Sequence, residues 1–154
     1  MNNRFIILIG SYNNEQWVES NINSILSQDY DNYKVLYYDD CSSDKTFCIA
    51  KNLINNNSKF TLIKNNIRKF KTWFYFNIHE YIKLEENDIL VFLDGDDMFY
   101  CENVLSYINE IYNQKKCWMT YGGMIVWNRG VGSGNVENTS CAHLMGDVCA
   151  SNSC

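Results

Sequence analysis

Three aspartates, Asp94, Asp96 and Asp97, stand within four positions directly after the apolar run "ILVFL" at residues 89–93. Carboxylates at this spacing offer hard oxygen ligands, suited to Mg2+ or Mn2+ rather than to zinc, which takes His and Cys. Such ions keep several waters and bind jointly with substrate phosphates. The plainer alternative is a turn plus a capping aspartate for the next helix, since Asp and Gly are ordinary turn residues. Crowded carboxylates beside a buried strand carry an electrostatic cost that a cation relieves, which favours the metal reading. A second acidic pair, Asp39 and Asp40, closes another apolar run, "YKVLYY". Its carboxylates suit a ribose hydroxyl or a base N–H as acidic residues do in dinucleotide folds, or an Asx-turn with Ser42 and Ser43.

Other chemistries find less support. "IGSYNN" is not a G-x-G-x-x-G, and no G-x-x-x-x-G-K-[ST] occurs, which argues against a dinucleotide oxidoreductase and a P-loop NTPase. Phosphate charge would then be met by a bound metal, with help from Lys64, Arg68, Lys69 or Lys71, or those four form a solvated basic edge. His79 lies beside the apolar face of an expected helix, a packing or surface position. His143 sits near Cys141, Cys149 and Cys154 at a spacing that matches no strong zinc pattern. There is no G-x-S-x-G elbow. The seven cysteines include no C-x-x-C pair and read as reduced thiols.

The elements that must position these groups alternate. "RFIILIG" is a continuous apolar strand, and Val18, Ile22, Ile25 and Leu26 recur at helical spacing between Glu15 and Gln28. "YKVLYY" is a second strand, and Ser42 or Ser43 before Asp44 signals the start of a second helix. "KFTLIKN" is a third strand; Phe70, Phe74, Ile78, Tyr81 and Ile82 mark one face of a third helix. "DILVFL" is a fourth strand, Val104, Leu105, Ile108, Ile111 and Tyr112 mark a fourth helix, and "CWMTYGGMIVW" reads as a fifth strand. Continuous apolar strands alternating with amphipathic helices predict a three-layer α/β/α, Rossmann-like domain with a mainly parallel sheet. Ligands in such sheets bind at the carboxyl ends of the strands, near the point where strand order reverses. "GSYNN", "DDCSSD" and "DGDD" all fall at such ends.

With 154 residues and a formal net charge of −5, the chain fits one domain and offers no broad attraction to nucleic acid. No run approaches the roughly 20 apolar residues of a membrane span, and the first strand is too short for a signal-peptide core. The expectation is a cytoplasmic protein with no integral membrane segment. Residues 1–127 are expected as the domain; 128–154, rich in Gly and Cys without periodicity, are expected as a loop or poorly ordered tail. Pro is absent, so Asn, Asp, Ser and Gly must shape the loops.

Taken together, the motifs resemble a family 2 glycosyltransferase of the GT-A fold. "FIILIGSYNNEQWVESNINSILSQDYDNYKVLYYDDCSSDKT" is similar to that family's opening strand, Ser-Tyr-Asn turn, "SIL.Q" helix and acidic "VDDGSTD" stretch. "VFLDGDDMF" matches its D-x-D element, and "ENVLSYINEIYNQKKCWMTYGG" resembles a subgroup with "NVL…WLTYG". The resemblance covers about Arg4 to Gly122. It implies a nucleotide-sugar donor, a UDP-sugar, with Ser11, Tyr12 and Asn13 shaping the base pocket. Asp40, with Asp39, would hold the uracil or ribose, and Arg68 would join the donor site. Asp94 would face the ribose, and Asp96 would be the principal ligand of Mn2+ or Mg2+, with Asp94 and Asp97 beside it. The implied activity is that of a metal-dependent hexosyltransferase, inverting the anomeric carbon in one displacement.

Two departures stand out. Cys41 replaces the family's usual Gly in "DDGS", and Phe70, Lys71, Thr72 and Trp73 replace small residues and an Asn, with Trp73 expected to narrow the pocket. Inverting members also need a general base for the acceptor hydroxyl, which the family carries well downstream of D-x-D. Here Asp147 and Glu137 are the carboxylates left, neither in a familiar context, so the general base stays unassigned. The acceptor, whether glycan, protein or lipid, is equally open. An alternative is therefore a nucleotide-sugar-binding module lacking the acceptor half, or one that relies on a second copy or a partner chain for the base. A nucleotidyltransferase would require a Gly-rich basic loop after the first strand, and "GSYNNE" is not one.

Overall fold

The computed structural model describes residues 1–115 and 117–122, together with the backbone of 149–151. In chain order the elements are β1 (Phe5–Ser11), α1 (Val18–Leu26), β2 (Tyr33–Asp39), α2 (Thr46–Ile54), β3 (Phe60–Lys64) and α3 (Phe70–Phe76). A short 3-10 turn (Ile78–Glu80) follows, then β4 (Ile89–Asp94), α4 (Val104–Gln114), β5 (Cys117–Thr120) and β6 (Cys149–Ser151).

Four parallel strands form the main sheet in the order β3-β2-β1-β4. The chain winds outward from β1 through β2 to β3, then returns to place β4 on the other side of β1. This reversal puts the switch point at the carboxyl ends of β1 and β4, where a sheet of this type opens a crevice. Register aligns the polar ends: Ser11 lies opposite Asp39, and Gly10 opposite Asp94.

The two faces follow from the period-2 geometry of strands. Phe5, Ile7 and Ile9 of β1, with Val35, Tyr37 and Leu93, pack beneath α1, α2 and α4 through Val18, Ile22, Ile25, Ala50, Ile54 and Leu105. Ile6, Leu8, Leu36 and Tyr38 face the other way, onto Phe74 of α3 and Ile78. Covering both faces explains why β1 reads as an unbroken apolar run: five successive residues, Phe5 to Ile9, are fully buried. Tyr38 and Phe74 stack with ring centroids 4.4 Å apart and planes 10° from parallel. At the end of the sheet away from the crevice, Arg4 donates to both carboxylate oxygens of Asp88 at 2.7 and 2.5 Å. This fork pins the start of β1 beside the start of β4 and depresses the Asp88 pKa.

Several details differ from the sequence expectations. α1 starts at Val18, three residues later than Glu15, because the carbonyl of Asn14 accepts the N–H groups of Trp17 and Val18. Leu26 is on the exposed flank of that helix, 39% accessible, and not on its buried stripe. α3 ends at Phe76, and Ile78 reaches the core from a separate 3-10 turn. Phe70 points outward at 60% exposure. Trp73, expected to narrow the pocket, packs partly buried against the α3-side core near Tyr38, with centroids 6.4 Å apart. β5 pairs antiparallel with β6 in a two-stranded sheet separate from the main one. Residues 149–151, within the expected tail, thus supply a strand; 128–148 lie outside the described residues.

Candidate nucleotide-sugar site

Local chemistry knits the loops after β1 and β2 into one wall. Ser11, 2% exposed, accepts hydrogen bonds at Oγ from the Tyr37 hydroxyl at 3.1 Å and from Asn14 Nδ2 at 3.2 Å. Burial pushes the Tyr37 phenol up to about 12, so it stays a neutral donor. Asn13 N–H donates to Ser42 Oγ at 3.0 Å, and its side-chain oxygen accepts from Ser43 N–H at 2.9 Å. Asn14 N–H donates to Thr46 Oγ1 at 2.8 Å. With Pro absent, Asn does take the special backbone conformations: of the five non-glycine residues at positive φ among the described residues, three are Asn13, Asn55 and Asn56. Cys41 adopts φ 65°. The turn therefore keeps the left-handed geometry that a glycine would provide, at a cost set by the Cys41 Cβ.

The acidic pair after β2 divides its labour. Asp39 is fully buried; one oxygen accepts Ser42 N–H at 3.2 Å, and Oδ1 has no hydrogen-bond partner among the described residues. Asp40 gathers the approach to α3. Its Oδ1 accepts from Asn65 Nδ2 at 3.0 Å and Lys69 N–H at 2.8 Å, and its Oδ2 accepts from Phe70 N–H at 2.7 Å. Asn65 Nδ2 also donates to the Tyr38 hydroxyl. Asp40 Oδ2 retains a lone pair, with Arg68 Nε 4.0 Å away.

The four basic residues of this stretch each have an identified neighbour. Arg68 lays its guanidinium 3.8 Å over the Tyr12 ring and 4.7 Å from the Phe70 ring. Lys69 Nζ sits 3.7 Å over Trp73, and Lys64 Nζ 4.6 Å over Phe47. Lys71 Nζ pairs with Asp94 Oδ2 at 2.5 Å. Its stem crosses the crevice floor at Gly10, where a side-chain carbon would come within 2.9 Å of Lys71 Cβ.

The Asp-Gly-Asp-Asp turn is held from below. Asn21 of α1, 1% exposed, donates through Nδ2 to the carbonyls of Asp94 at 3.1 Å and Asp97 at 2.7 Å. Gly95 is required by contact: a Cβ there would lie 2.7 Å from Ser11 Oγ and from Asn14 Nδ2. The close approach lets the ends of β1 and β4 meet. Asp94 accepts Lys71 at one oxygen and the Tyr75 hydroxyl at the other, at 3.4 Å. Burial, reinforced by the Asp94 charge, raises Tyr75 to about 12. Asp96 and Asp97 are exposed. Asp97 is raised above the ordinary carboxyl value by desolvation first, then by the neighbouring charges of Asp96 and Asp94.

Among the described residues no three His, Cys, Asp or Glu side chains converge in a metal-ligating group. Asp94, one of the three expected ligands, spends its oxygens on Lys71 and Tyr75 instead. Asp96 and Asp97 form a two-carboxylate arrangement, and the strained charge on Asp97 is the kind a cation relieves. That donor set fits Mg2+ or Mn2+ in the sparse mode where one or two carboxylates share the ion with substrate phosphates.

The structure thus brings Ser11, Tyr12, Asn13, Asp39, Asp40, Arg68, Asp94, Asp96 and Asp97 to the carboxyl ends of β1, β2, β3 and β4 and the loops that follow. Asp147, Glu137 and His143 lie outside the described residues. Sequence reading missed Asn21, Asn65, Phe70 and Tyr75 as parts of the site. Asn21 carried a usable signal: it falls on the same helical stripe as Val18, Ile22 and Ile25, and a buried amide needs partners. Asn65 and Tyr75 carried none, since their partners lie 25 and 19 residues away along the chain.

A doubly wound sheet with polar groups clustered at its switch point defines an α/β protein of the kind whose ligands sit at the carboxyl ends of its strands. Residues 6–131 match the model of glycosyl transferase family 2, and the chain belongs to that family. EpsE of Bacillus subtilis is 27% identical over 123 residues, covering 79% of this chain and 43% of EpsE. The chain therefore spans less than half the length of that relative. Among solved structures, S. aureus TarS 1-349 in complex with UDP-GlcNAc superposes with a TM-score of 0.58 at 22% identity. The match covers 71% of this chain and 31% of the TarS chain. Mannosyltransferase PcManGT from Pyrobaculum calidifontis, in complex with GDP-Man and Mn2+, gives 0.57 at 21% identity, covering 64% and 29%. The fold is that of the GT-A glycosyltransferases, and no helix among the described residues is long and apolar enough to cross a membrane.

Proposed function

We propose that the chain is the donor-binding part of a sugar transferase that takes a nucleotide-sugar, a UDP-sugar first among them. The observation that carries this reading is the cluster of polar side chains at the carboxyl ends of β1, β2 and β4. On one side it has Tyr12, Asp39 and Asp40, suited to a base and ribose; on the other it has Lys71, Asp94, Asp96 and Asp97, suited to a diphosphate and its counter-ion. The UDP-GlcNAc complex of TarS supports the donor class by its fold. Asp96 and Asp97 would hold Mn2+ or Mg2+, which when bound supplies Lewis-acid neutralisation of the leaving diphosphate. Lys71 places a fixed positive charge at the same end, where negative charge develops as the glycosidic bond to phosphate breaks. An incoming acceptor hydroxyl would displace the nucleoside diphosphate in a single inverting step, its proton taken by a base outside the described residues.

The test is calorimetric titration with UDP, GDP and CDP, with and without Mn2+, followed by an assay for slow hydrolysis of UDP-sugars. Binding of UDP that strengthens with Mn2+, with hydrolysis above background, is the expected result. Failure of every nucleoside diphosphate to bind would overturn the reading. A second reading is favoured by the 43% coverage of EpsE: a module that binds the donor and relies on further chain or a partner for the acceptor and base. Tight UDP binding with neither hydrolysis nor transfer would select it.

A further inference from the structure

Arg68 occupies an unusual place for a surface arginine. Its guanidinium lies against two aromatic rings at once, Tyr12 at 3.8 Å and Phe70 at 4.7 Å, and its Nε stands 4.0 Å from Asp40 Oδ2. A planar group thus lies against two aromatic rings, with Nε near a carboxylate oxygen but beyond hydrogen-bond reach. A nucleobase has the same three properties: a flat π face, an edge N–H, and an affinity for aromatic stacking. The guanidinium resembles a base in shape and donor pattern, and differs chiefly in its charge.

Phe70 is the second anomaly. It is 60% exposed, so burial does not explain a phenyl ring there, and its φ is 66°, a conformation that costs any residue with a Cβ. Asp40 enforces that backbone by accepting both Lys69 N–H and Phe70 N–H. The consequence is an exposed ring set beside the Arg68 guanidinium, 4.7 Å away. Strain at an exposed aromatic beside a ligand cleft points toward function.

We propose that Phe70 is a second stacking wall, opposite or beside Tyr12, and that the donor's nucleobase enters this slot in place of the Arg68 guanidinium. In the structure Arg68 keeps the slot filled; on binding, the base takes over both the ring contacts and the approach to Asp40 Oδ2. Phe70 thereby becomes a base-binding residue, and Arg68 an internal competitor for its slot. The inference rests on the donor reading above and adds to it where the base lies and what must leave.

Isothermal titration of the full chain with UDP in Mn2+, and separately with inorganic diphosphate, tests this. Phe70→Leu keeps apolar bulk and loses the ring; it is expected to weaken UDP by roughly tenfold, the scale of one stacked base, with diphosphate affinity unchanged. Phe70→Tyr should keep wild-type affinity. Phe70→Gly should weaken UDP similarly while holding or raising Tm, because it relieves the positive φ; a residue kept for stability alone would lower both. Arg68→Gln should tighten UDP a few-fold. Unchanged UDP affinity in Phe70→Leu, or equal losses for UDP and diphosphate, overturns the slot while leaving the donor reading intact. Weaker UDP binding in Arg68→Gln overturns the displacement. If wild type binds no nucleoside diphosphate, both readings fall together.

Discussion

At the scale of single residues, the site's strain has two sources, crowded charge and left-handed backbone. Asp97 is the clearest charge case. Its pKa is raised in the folded protein, so the native state binds more protons than the unfolded chain between the ordinary value of 3.8 and the raised one. Stability therefore falls as pH rises through that interval, and the cost persists at neutral pH. Asp97→Asn should stabilise the protein at pH 7 by roughly 0.5 kcal/mol, the scale of an exposed charge interaction. The gain should vanish near pH 3, and urea midpoints at the two pH values check it; an equal gain at both would remove the charge explanation. Cys41 is the backbone case. Left-handed φ costs a residue with a Cβ roughly 1–2 kcal/mol, against about 0.5–1 kcal/mol of extra chain entropy that glycine loses on folding. Cys41→Gly should then stabilise by about 0.5–1 kcal/mol in the same urea assay, and a loss of stability would mean that the contact of Cys41 Sγ with the Asn66 carbonyl at 3.5 Å matters more than the strain.

At the scale of elements, the site depends on two strand ends meeting without a side chain between them. Gly95→Ala places a methyl 2.7 Å from Ser11 Oγ and Asn14 Nδ2, which can swing away only by breaking the hydrogen bond between them or that of Tyr37 to Ser11. The expected loss is about 1–3 kcal/mol by overpacking, with nucleotide affinity falling as β1 and β4 separate; wild-type stability in the variant would show that the turn relaxes freely. The strands and their polar ends were legible because continuous burial leaves an unbroken apolar run, and because an abrupt Asp after such a run is conspicuous. The helix boundaries were less so. α1 begins where the Asn14 carbonyl captures two N–H groups, and α3 begins where Asp40, some thirty residues earlier in the chain, captures two more. Periodicity placed Phe70 on a buried face for the same reason: spacing encodes neighbours along a helix, whereas the Asp40 contact that turns Phe70 outward is long-range. The partnership of Asp94 with Lys71 was equally hidden, since a charged pair across 23 residues leaves no local pattern.

At the scale of the whole molecule, the sheet has a fixed end and a working end. Arg4 and Asp88 clamp β1 to β4 at one end, while at the other the same two strands stay paired as far as Gly10 and Asp94 and the loops beyond them flank the crevice. A ligand that spans this gap, touching Tyr12 and Asp40 on one side and the Asp96 and Asp97 carboxylates through its diphosphate on the other, should act as a second clamp. Anything that binds only the native state stabilises it by about 2.7 kcal/mol at a hundredfold excess over Kd. For a domain of this size each kcal/mol moves Tm by roughly 2–4 °C, so saturating UDP with Mn2+ should raise Tm by about 5–10 °C. Because the clamp needs both halves, uridine alone and inorganic diphosphate alone should each give much smaller shifts at the same concentration. Thermal melts with the three ligands measure this directly. Equal shifts from UDP and diphosphate would mean that only the acidic side of the crevice is engaged, and the crevice would then be an anion and metal site without a base pocket.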